Sequence, residues 1–387
     1  MSQALCNRRD AIRALGVAAA GLCLGPRSFG LTGQAPTAPV VIGRSPTYGP
    51  EVVSTLATMF DQMGGLAPLV KGKTVAIKLN LTGGPTNRLN GMPLELTHWV
   101  HPKVIAATVY LMGKAGARRV RLLESPWSTA EPVQEFMRQA GWNPNQFLSL
   151  GTRVEFENTN YLGEAKRYTL FKVPGGGLMF SGYDLNHSYS DCDVFVSLAK
   201  LKQHATAGVT LSMKNCFGIT PCTIYGEGAG INEPSLTPKG GRGMIHNGNR
   251  APSESAPQPL HPHEYATKDP GYRVPRVTAD LVAARPIHLA IIDGIYTETG
   301  GEGPWVSGVK AVHPGLLVAG RNCVATDAVA VALMGFDPRA DRGTAPFETA
   351  DSTLRLAEEL GVGTRNLSNI EVRGVPINKA KFMFRAA

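Results

Sequence analysis

Residues 193–218 read DVFVSLAKLKQHATAGVTLSMKNCFG, and they join two patterns that decide the fold. The run at 193–198 is short and apolar, which predicts a strand buried on both faces, as in a parallel sheet. Three lysines, a histidine and an asparagine then follow among small and apolar residues. A solvated loop does not need that spacing, and a closed core does not tolerate those charges. The stretch therefore predicts a buried strand that runs directly into a binding site.

Helices and strands alternate on both sides of this stretch. Helices are predicted at 51–63, 102–116, 130–140, 325–334 and 346–360, with another ending at 280–284, and strands at 74–80, 119–124, 287–293 and 316–319. Residues 151–174 read as short strands of a hairpin or side sheet. The alternation predicts an α/β fold with a mixed or doubly wound sheet flanked by helices.

The segment 226–275 is dense in Gly, Pro, Ser and Asn, and it predicts a long insertion in the fold. The mature chain, 36–387, is accordingly one α/β domain, or two subdomains at 36–225 and 276–387 that this segment joins.

The N-terminus has the pattern of a targeting leader. Paired arginines, Arg8 and Arg9, precede an apolar run at 14–24 that is too short to span a bilayer. Residues 1–35 therefore predict a twin-arginine signal peptide, with the export machinery as partner and a periplasmic or otherwise exported location. The alternative is a cytoplasmic amphipathic helix. No later segment has eighteen consecutive apolar residues, so no stable membrane span is expected.

The charge balance points to a small ligand. The net charge is +9, but four arginines and one aspartate place +3 of it in the first thirty residues. No long Lys/Arg run is interleaved with aromatic residues, so nucleic acid is not expected as a partner. A mild basic excess suits a small anionic substrate.

The cysteines of the mature region do not form a metal-binding pattern. Cys192, Cys216, Cys222 and Cys323 include no CxxC pair, which argues against a zinc ribbon or a ferredoxin-type cluster. The spacing of Cys216 and Cys222 leaves open whether they pair.

Polar residues lie at the carboxyl ends of three predicted strands, where open α/β sheets bind ligands. These groups are Lys78 with Asn80, Glu124, and the block at 200–215. We expect Lys78, Asn80 and Glu124 to converge with the block as substrate-binding residues. The alternative for Lys78 and Glu124 is a structural ion pair.

Within the block, Lys200, Lys202 and His204 alternate, so an extended backbone projects them from one face. Such a row of donors suits a carboxylate or a phosphate, so Lys200 and Lys202 are predicted to bind the substrate. Asn215 is a further predicted substrate-binding residue. His204 is the predicted acid/base group, because histidine titrates near neutral pH. Lys214 is the predicted charge stabiliser or cofactor anchor. The alternative for His204 is a hydrogen-bonded core histidine.

Three further residues are weak candidates for a metal site. Asp293 and Glu302 flank a Gly-rich turn, and His246 lies in the long insertion. Asp293 equally suits a turn-capping role. The pattern names no metal, so the metal and the cofactor stay unknown.

The stretch DVFVSLAKLKQHATAGVTLSMKNCFGITP resembles the central motif of the prokaryotic family of domain of unknown function 362. VAIKLNL, HPKVIAATVYLMGKAGARRVRLLES and ATDAVAVALMGFDP also match that family's pattern. The resemblance covers most of the mature chain but implies no general activity. Some relatives carry cysteine-rich iron–sulfur segments, whose spacing this chain lacks.

A second, more distant resemblance is to the nickel-pincer lactate racemases, in which a His transfers protons and a Lys holds the organometallic cofactor. The matching positions are His204, Gly208, Lys214, Gly218 and Pro221. The chain departs at Asn215 and Phe217 and has no histidine at the nickel-supplying spacing, near Gly230. The likeness therefore favours acid/base chemistry over nickel, and a Lys-bound organometallic cofactor is one implied possibility.

Together these patterns predict an exported enzyme that performs racemisation, epimerisation or elimination on a small anionic or polar substrate. The expected class is an isomerase or a lyase. The alternative is a non-catalytic periplasmic protein that binds a metal or cofactor and has a redox role, such as iron–sulfur binding.

Overall fold

The computed structural model describes residues 35–160, 168–229, 235, 238, 240–248 and 267–384. Residues 1–34 of the predicted leader and much of the predicted insertion lie outside these ranges. Across the described ranges, every helix is too short or too polar to cross a bilayer.

One mixed sheet forms the centre of the fold. The strands, in chain order, are β1 (Val40–Arg44), β2 (Thr74–Lys78), β3 (Arg119–Glu124), β4 (Arg153–Asn158), β5 (Tyr168–Lys172), β6 (Gly182–Asn186), β7 (Val194–Lys200), β8 (Gln203–His204), β9 (Gly208–Val209), β10 (Leu289–Gly294), β11 (Thr297–Thr299), β12 (Lys310–Val312), β13 (Leu316–Gly320) and β14 (Val372–Gly374). Eight of them form the sheet, in the order β14-β1-β13-β10-β7-β2-β3-β4. Strands β10, β7, β2, β3 and β4 run parallel, whereas β13 is antiparallel to both its neighbours.

Helices cover both faces of this sheet. They are α1 (Glu51–Gln62), α2 (Ala67–Val70), α3 (Pro102–Lys114), α4 (Val133–Gln139), α5 (Leu211–Asn215), α6 (Cys222–Tyr225), α7 (Gly243–Asn247), α8 (Pro270–Ala284), α9 (Cys323–Leu333), α10 (Thr353–Glu359) and α11 (Ile377–Ala380). The mixed sheet flanked by helices confirms the predicted α/β class.

Side chains alternate between two hydrophobic cores along the central strands. In β2, Val75 and Ile77 pack with α1, α3 and α4, whereas Ala76 packs on the opposite face with α8, α9 and α10. Every residue of β2 and β7 is buried, because both faces of these strands are covered. The continuous apolar run at 194–199 is therefore a central strand, as its composition predicts.

Most element boundaries agree with the sequence patterns to within a few residues, and one helix prediction is wrong. Of the short strands expected at 151–174 in a hairpin or side sheet, β5 forms a two-stranded side sheet with β6, whereas β4 joins the main sheet beside β3. The helix predicted at 346–360 is shorter and begins at Thr353, where Ser352 caps it. Strands β1 and β14 have no counterpart among the predictions, because runs of three to five residues carry little periodicity.

Candidate functional site

A cavity of about 500 Å³ opens beyond the carboxyl ends of β2 and β3 and beside the chain that follows β7. This is the edge of a parallel sheet where ligands of α/β proteins bind. Nine predicted site residues line it: Lys78, Asn80, Glu124, Lys202, His204, Lys214, Asn215, His246 and Glu302. Segments far apart in sequence thus meet in one place.

Two predicted residues, Lys200 and Asp293, do not line the cavity. Lys200 is the last residue of β7, and its Nζ lies 3.0 Å from Asp293 Oδ2 in a fully buried ion pair. The same ammonium donates to the Tyr48 hydroxyl at 3.0 Å and to the Glu95 carbonyl at 2.9 Å. All three ammonium protons of Lys200 therefore have acceptors inside the protein, and we assign this lysine a structural role. Lys202 and His204, in contrast, line the cavity.

Lys78 and Glu124 form the buried ion pair that the sequence leaves open, and both also line the cavity. Lys78 Nζ lies 2.5 Å from Glu124 Oε1, and the carboxylate accepts hydrogen bonds from the Leu81 and Ser125 amides at 2.8 Å. The Asn215 carboxamide spans the same wall, because its Nδ2 donates to the Lys78 carbonyl. These groups form a rigid, internally paired wall.

The short helix α5, which carries Lys214, is held from outside by Asp327. One carboxylate oxygen of Asp327 accepts from the Ser212 amide at 3.0 Å and hydroxyl at 2.6 Å, and the other accepts from the Met213 amide at 2.9 Å. A five-residue helix is not stable alone, so these bonds fix its position. Asp327 belongs to α9, whose own N-cap is Asn322.

Lys214 itself brings an unpaired amine into the cavity. Its Nζ has no hydrogen-bond acceptor within the described parts of the chain and lies 4.4 Å from the centre of the Phe217 ring. Burial lowers the pKa of this amine from 10.5 to about 7, and nearby positive charge on Arg242, Lys202 and Lys78 adds to the effect. An amine with such a pKa can exchange a proton near neutral pH.

His204 is fixed as one tautomer by its own chain. The Thr206 amide donates to Nδ1 at 3.1 Å, so Nδ1 bears a lone pair and the neutral ring carries its proton on Nε2. Burial and the charge of Lys214 lower the pKa of His204 well below its usual value. A neutral His204 therefore acts as a hydrogen-bond donor through Nε2.

His246 has the opposite tautomer. Its Nδ1 lies 3.3 Å from the Arg242 carbonyl, which can only accept a hydrogen bond, so the ring proton sits on Nδ1 and Nε2 bears the lone pair. The ring packs edge-on against Phe217, with centroids 4.5 Å apart. Burial lowers the pKa of His246 to about 3, so the ring is neutral at neutral pH.

Glu302 connects the turn after β11 to the block after β7. Its carboxylate accepts from the Ala205 amide at 2.8 Å and the Trp305 indole at 3.0 Å, and its carbonyl accepts from Lys202 Nζ at 2.7 Å. Burial alone would raise the pKa of Glu302, but the Ala205 and Trp305 donors and the charge of Lys202 lower it. Glu302 is therefore a permanent negative charge beside His204.

Behind Lys202 lies a second buried acid that the sequence patterns do not indicate. Neither carboxylate oxygen of Glu298 has a hydrogen-bond partner among the described residues, and Oε2 is 3.9 Å from His98 Nδ1. Burial raises the pKa of Glu298 to about 7, and burial lowers the pKa of Lys202 to about 8.

Arg242 is the main cavity residue that the sequence patterns miss. Its Nε and Nη2 donate to the carbonyls of Thr220 at 2.7 Å and Ser125 at 2.9 Å, and Nη1 has no acceptor in the described ranges. Its backbone has a φ of 68°, which is rare for a residue with a side chain. The glycines around it, GGRG at 240–243, were the available signal for an unusual backbone.

The described cysteines and the weak metal candidates do not form a site. Cys192, Cys216, Cys222 and Cys323 are free thiols. In the ranges that the structure describes, no three His, Cys, Asp or Glu side chains are arranged to hold a metal ion. His246 and Glu302 line the cavity, while Asp293 pairs with Lys200 elsewhere.

The family model described as Domain of unknown function (DUF362) matches residues 75–332, which include every cavity residue named above. The chain belongs to this family. The match confirms the resemblance seen in the sequence motifs. It assigns no activity, because the family is defined without one.

Similarity to individual proteins is more distant. The thylakoid-associated protein sll1697 of Synechocystis sp. is 28% identical over 181 residues, which are 46% of this chain and 49% of that protein. The chain thus spans about half the length of this curated relative.

Two solved structures are similar at low level. The lactate racemase apoprotein of Thermoanaerobacterium thermosaccharolyticum is 13% identical with a TM-score of 0.34, and the match covers 71% of this chain and 54% of that one. A protein of Thermotoga maritima is 12% identical with a TM-score of 0.35, and that match covers 86% and 62%. At these scores the similarities say nothing about activity.

Proposed function

We propose that the protein is an enzyme that moves a proton at the carbon next to a carboxylate of a small anionic substrate. Racemisation, epimerisation and elimination all begin with that step. The observation that carries the proposal is the amine of Lys214, which lies half-buried in a cationic cavity and has no acceptor among the described residues. A buried cation without a partner is costly, so this position favours either a neutral amine or an incoming anion.

The surrounding groups divide the work of such a reaction. The guanidinium of Arg242 and the ammonium of Lys202 attract the substrate carboxylate. Their hydrogen bonds within the described residues go to backbone carbonyls, including those of Thr220, Ser125 and Glu302, and to hydroxyl groups, so a carboxylate contact is left to the substrate. Neutral Lys214 takes the proton from the carbon, and the electron pair of the broken C–H bond moves toward the carboxylate. The His204 Nε2–H then donates to the oxygen on which charge develops.

The outcome depends on where the proton goes next. If the Lys214 ammonium returns it to the same face of the carbon, the substrate is unchanged. If another donor protonates the opposite face, the centre is inverted. If a leaving group on the neighbouring carbon departs, the reaction is an elimination. His246, with a free lone pair on Nε2, can accept a hydrogen bond from a substrate hydroxyl in each case.

Hydrogen–deuterium exchange tests the proposal without knowledge of the product. The purified protein is incubated in D₂O with a panel of 2-hydroxy and 2-amino acids, and loss of the α-proton signal is followed by NMR. We expect Lys214→Met to abolish exchange and His204→Gln to reduce it by about 10²–10⁴-fold. Lys379→Met and His313→Gln, which change residues away from the cavity, are the matched controls.

The pH profile separates the two roles of Lys214. As a base, Lys214 must be neutral, so exchange rises with pH through about 7, the pKa to which burial lowers the amine. A Lys214 that acts as a cation gives the reverse profile, with exchange falling above that pH. Full exchange activity in Lys214→Met would refute both roles.

The resemblance to nickel-pincer racemases implies a Lys-bound organometallic cofactor, and Lys214 is the residue that would hold it. Such a group would supply an electrophilic centre beside the substrate. The free amine fits an anchor, while the described residues offer no three-ligand set for a metal. Metal analysis and an absorption spectrum of the protein, with Lys214→Met as control, test this possibility and the redox alternative together.

Export by the twin-arginine route belongs to the same proposal and is supported by the arginine pair ahead of a short apolar run. Replacing Arg8 and Arg9 together by lysine is expected to retain the protein in the cytoplasm, as measured by cell fractionation. Arg13→Lys, in the same segment, is the control. Unchanged export of the double variant would contradict this route.

A further inference from the structure

Two indole rings are left exposed at the cavity. Trp127 is 58% exposed and Trp305 is 45% exposed, and both line the cavity, whereas Trp99 and Trp142 are buried in the core. An exposed indole loses the stabilisation that burial of its large apolar surface would give. Two such rings on the wall of one polar cavity indicate a ligand that covers them.

Trp305 is held in place by polar and backbone contacts. Its indole N–H donates to Glu302 at 3.0 Å, and the His98 ring meets it edge-on with centroids 5.5 Å apart. The ring lies against the backbone at Gly83 and Gly303, where an added Cβ would approach it to 2.5 and 2.3 Å. Only glycine fits at these two positions, so the ring's place on the cavity wall is built into the backbone.

Trp127 is held against the segment that carries Arg242. An added Cβ at Gly241 would lie 2.4 Å from the indole Nε1 of Trp127. Gly241 immediately precedes Arg242, so the segment that carries this guanidinium also contacts the Trp127 ring. The indole Nε1 has no hydrogen-bond acceptor among the described residues, so the exposed ring face is the part of Trp127 that is available to a ligand.

The size of the cavity agrees with a ligand larger than a three-carbon acid. Its volume of about 500 Å³ lies in the range of pockets that enclose drug-sized ligands. The cationic groups Lys202, Lys214 and Arg242 account for an anionic end of such a ligand. They do not account for the exposed faces of the two indoles.

We propose that the substrate is a carboxylate that carries a planar aromatic ring, with the carboxylate at the cationic groups and the ring against Trp127 and Trp305. This inference rests on the proposed function for its anionic end and adds the ring. Stacking on an indole favours a planar π-system over a saturated ring of similar size, because offset aromatic pairs gain energy beyond the area that they bury.

Isothermal titration calorimetry of the full chain tests the ring directly. The probes are 3-phenyllactate, 3-cyclohexyllactate and lactate, which share one anionic end. We expect 3-phenyllactate to bind at least about tenfold more tightly than lactate, with 3-cyclohexyllactate between them. Trp127→Leu should remove most of the preference, and Trp305→Leu should do the same while Trp305→Phe retains it. Tyr110→Leu, which removes an exposed ring elsewhere, is the control.

The outcomes distinguish the ring from the reaction. If all three acids bind equally and Lys214→Met abolishes binding of all three, the inference of an aromatic substrate is overturned and the proposed function stands. A ring preference that depends on both tryptophans supports the inference even if no α-proton exchanges, and that result would overturn the proposed reaction alone. The absence of heat with all three acids would overturn both.

Discussion

The protonation of Lys214 should be visible in the stability of the protein. Burial lowers the pKa of this amine from 10.5 to about 7, so between these pH values the unfolded chain binds a proton at Lys214 and the folded chain does not. The free energy of unfolding then rises with pH across that window. Lys214→Met removes this contribution. The parent should therefore gain stability relative to the variant as the pH increases above 7, and the difference should be constant below it.

The magnitude follows from the width of the window. Each pH unit well inside this window contributes about 1.4 kcal/mol. Because the folded chain is still half protonated at Lys214 at pH 7, the parent should gain about 2.3 kcal/mol relative to Lys214→Met between pH 7 and pH 9. At pH 6 the variant should be the more stable protein, because a methionine replaces a half-buried cation that has no partner in the described part of the chain. A residue that lowers stability while it lines a cavity is consistent with selection for function.

Urea denaturation at pH 6, 7, 8 and 9 measures this difference, provided that the slope against urea concentration is the same for both proteins. Lys379→Met, which removes an exposed lysine, controls for the loss of a positive charge. A parallel pH dependence for parent and Lys214→Met would refute the reasoning, since it would mean that the amine is solvated or paired in the folded protein.

Three further changes test the framework of the site. Asp327→Asn should destabilise the fold by about 1–3 kcal/mol in urea denaturation, because one amide or hydroxyl donor of α5 loses its charged acceptor. Gly208→Ala should lower the melting temperature strongly, because its methyl would lie 2.4 Å from the Phe347 ring at a φ of 71°. Gly308→Ala, at a φ of 82° with open space around it, isolates the clash from the backbone strain. Burial raises the pKa of Glu298 to about 7, so between pH 4.5 and pH 7 the folded chain keeps a proton that the unfolded chain releases, and the parent loses about 3 kcal/mol of stability as the pH rises. Glu298→Gln should remove this loss in the same urea denaturation series.

The position of the cavity follows from sequence because parallel strands end at one edge. The strands that precede Lys78, Glu124 and the block at 200–215 are recognisable in the sequence. Because the carboxyl ends of parallel strands share one edge of the sheet, these groups are predicted to lie together. It is harder to predict which side chains of the block point into the cavity. Lys200 alternates correctly with Lys202, but it still belongs to β7 and pairs with Asp293, so the common face of the three residues is broken where the strand ends.

The remaining parts of the site depend on contacts between loops, which no periodic pattern encodes. Trp127 and Trp305 lie on the cavity wall because glycines let rings and backbone approach closely, and Gly241 and Gly83 are distant in sequence from the rings that they contact. The tautomers of His204 and His246 depend on an amide and a carbonyl of the folded backbone. The sequence shows where the histidines are, but the hydrogen bonds of the folded backbone determine which ring nitrogen is protonated.

The cavity wall is assembled from residues within 78–87, 124–127, 202–218, 241–246 and 302–305, which meet only in the folded chain. An unfolded chain cannot reproduce that arrangement, so a ligand of the cavity binds the native state almost exclusively. Bound at one hundred times its dissociation constant, such a ligand would add about 2.7 kcal/mol to the unfolding free energy. The melting temperature of the protein therefore reports ligand binding. A library of small acids can be ranked by the increase in melting temperature that each causes, before any reaction of the protein is known.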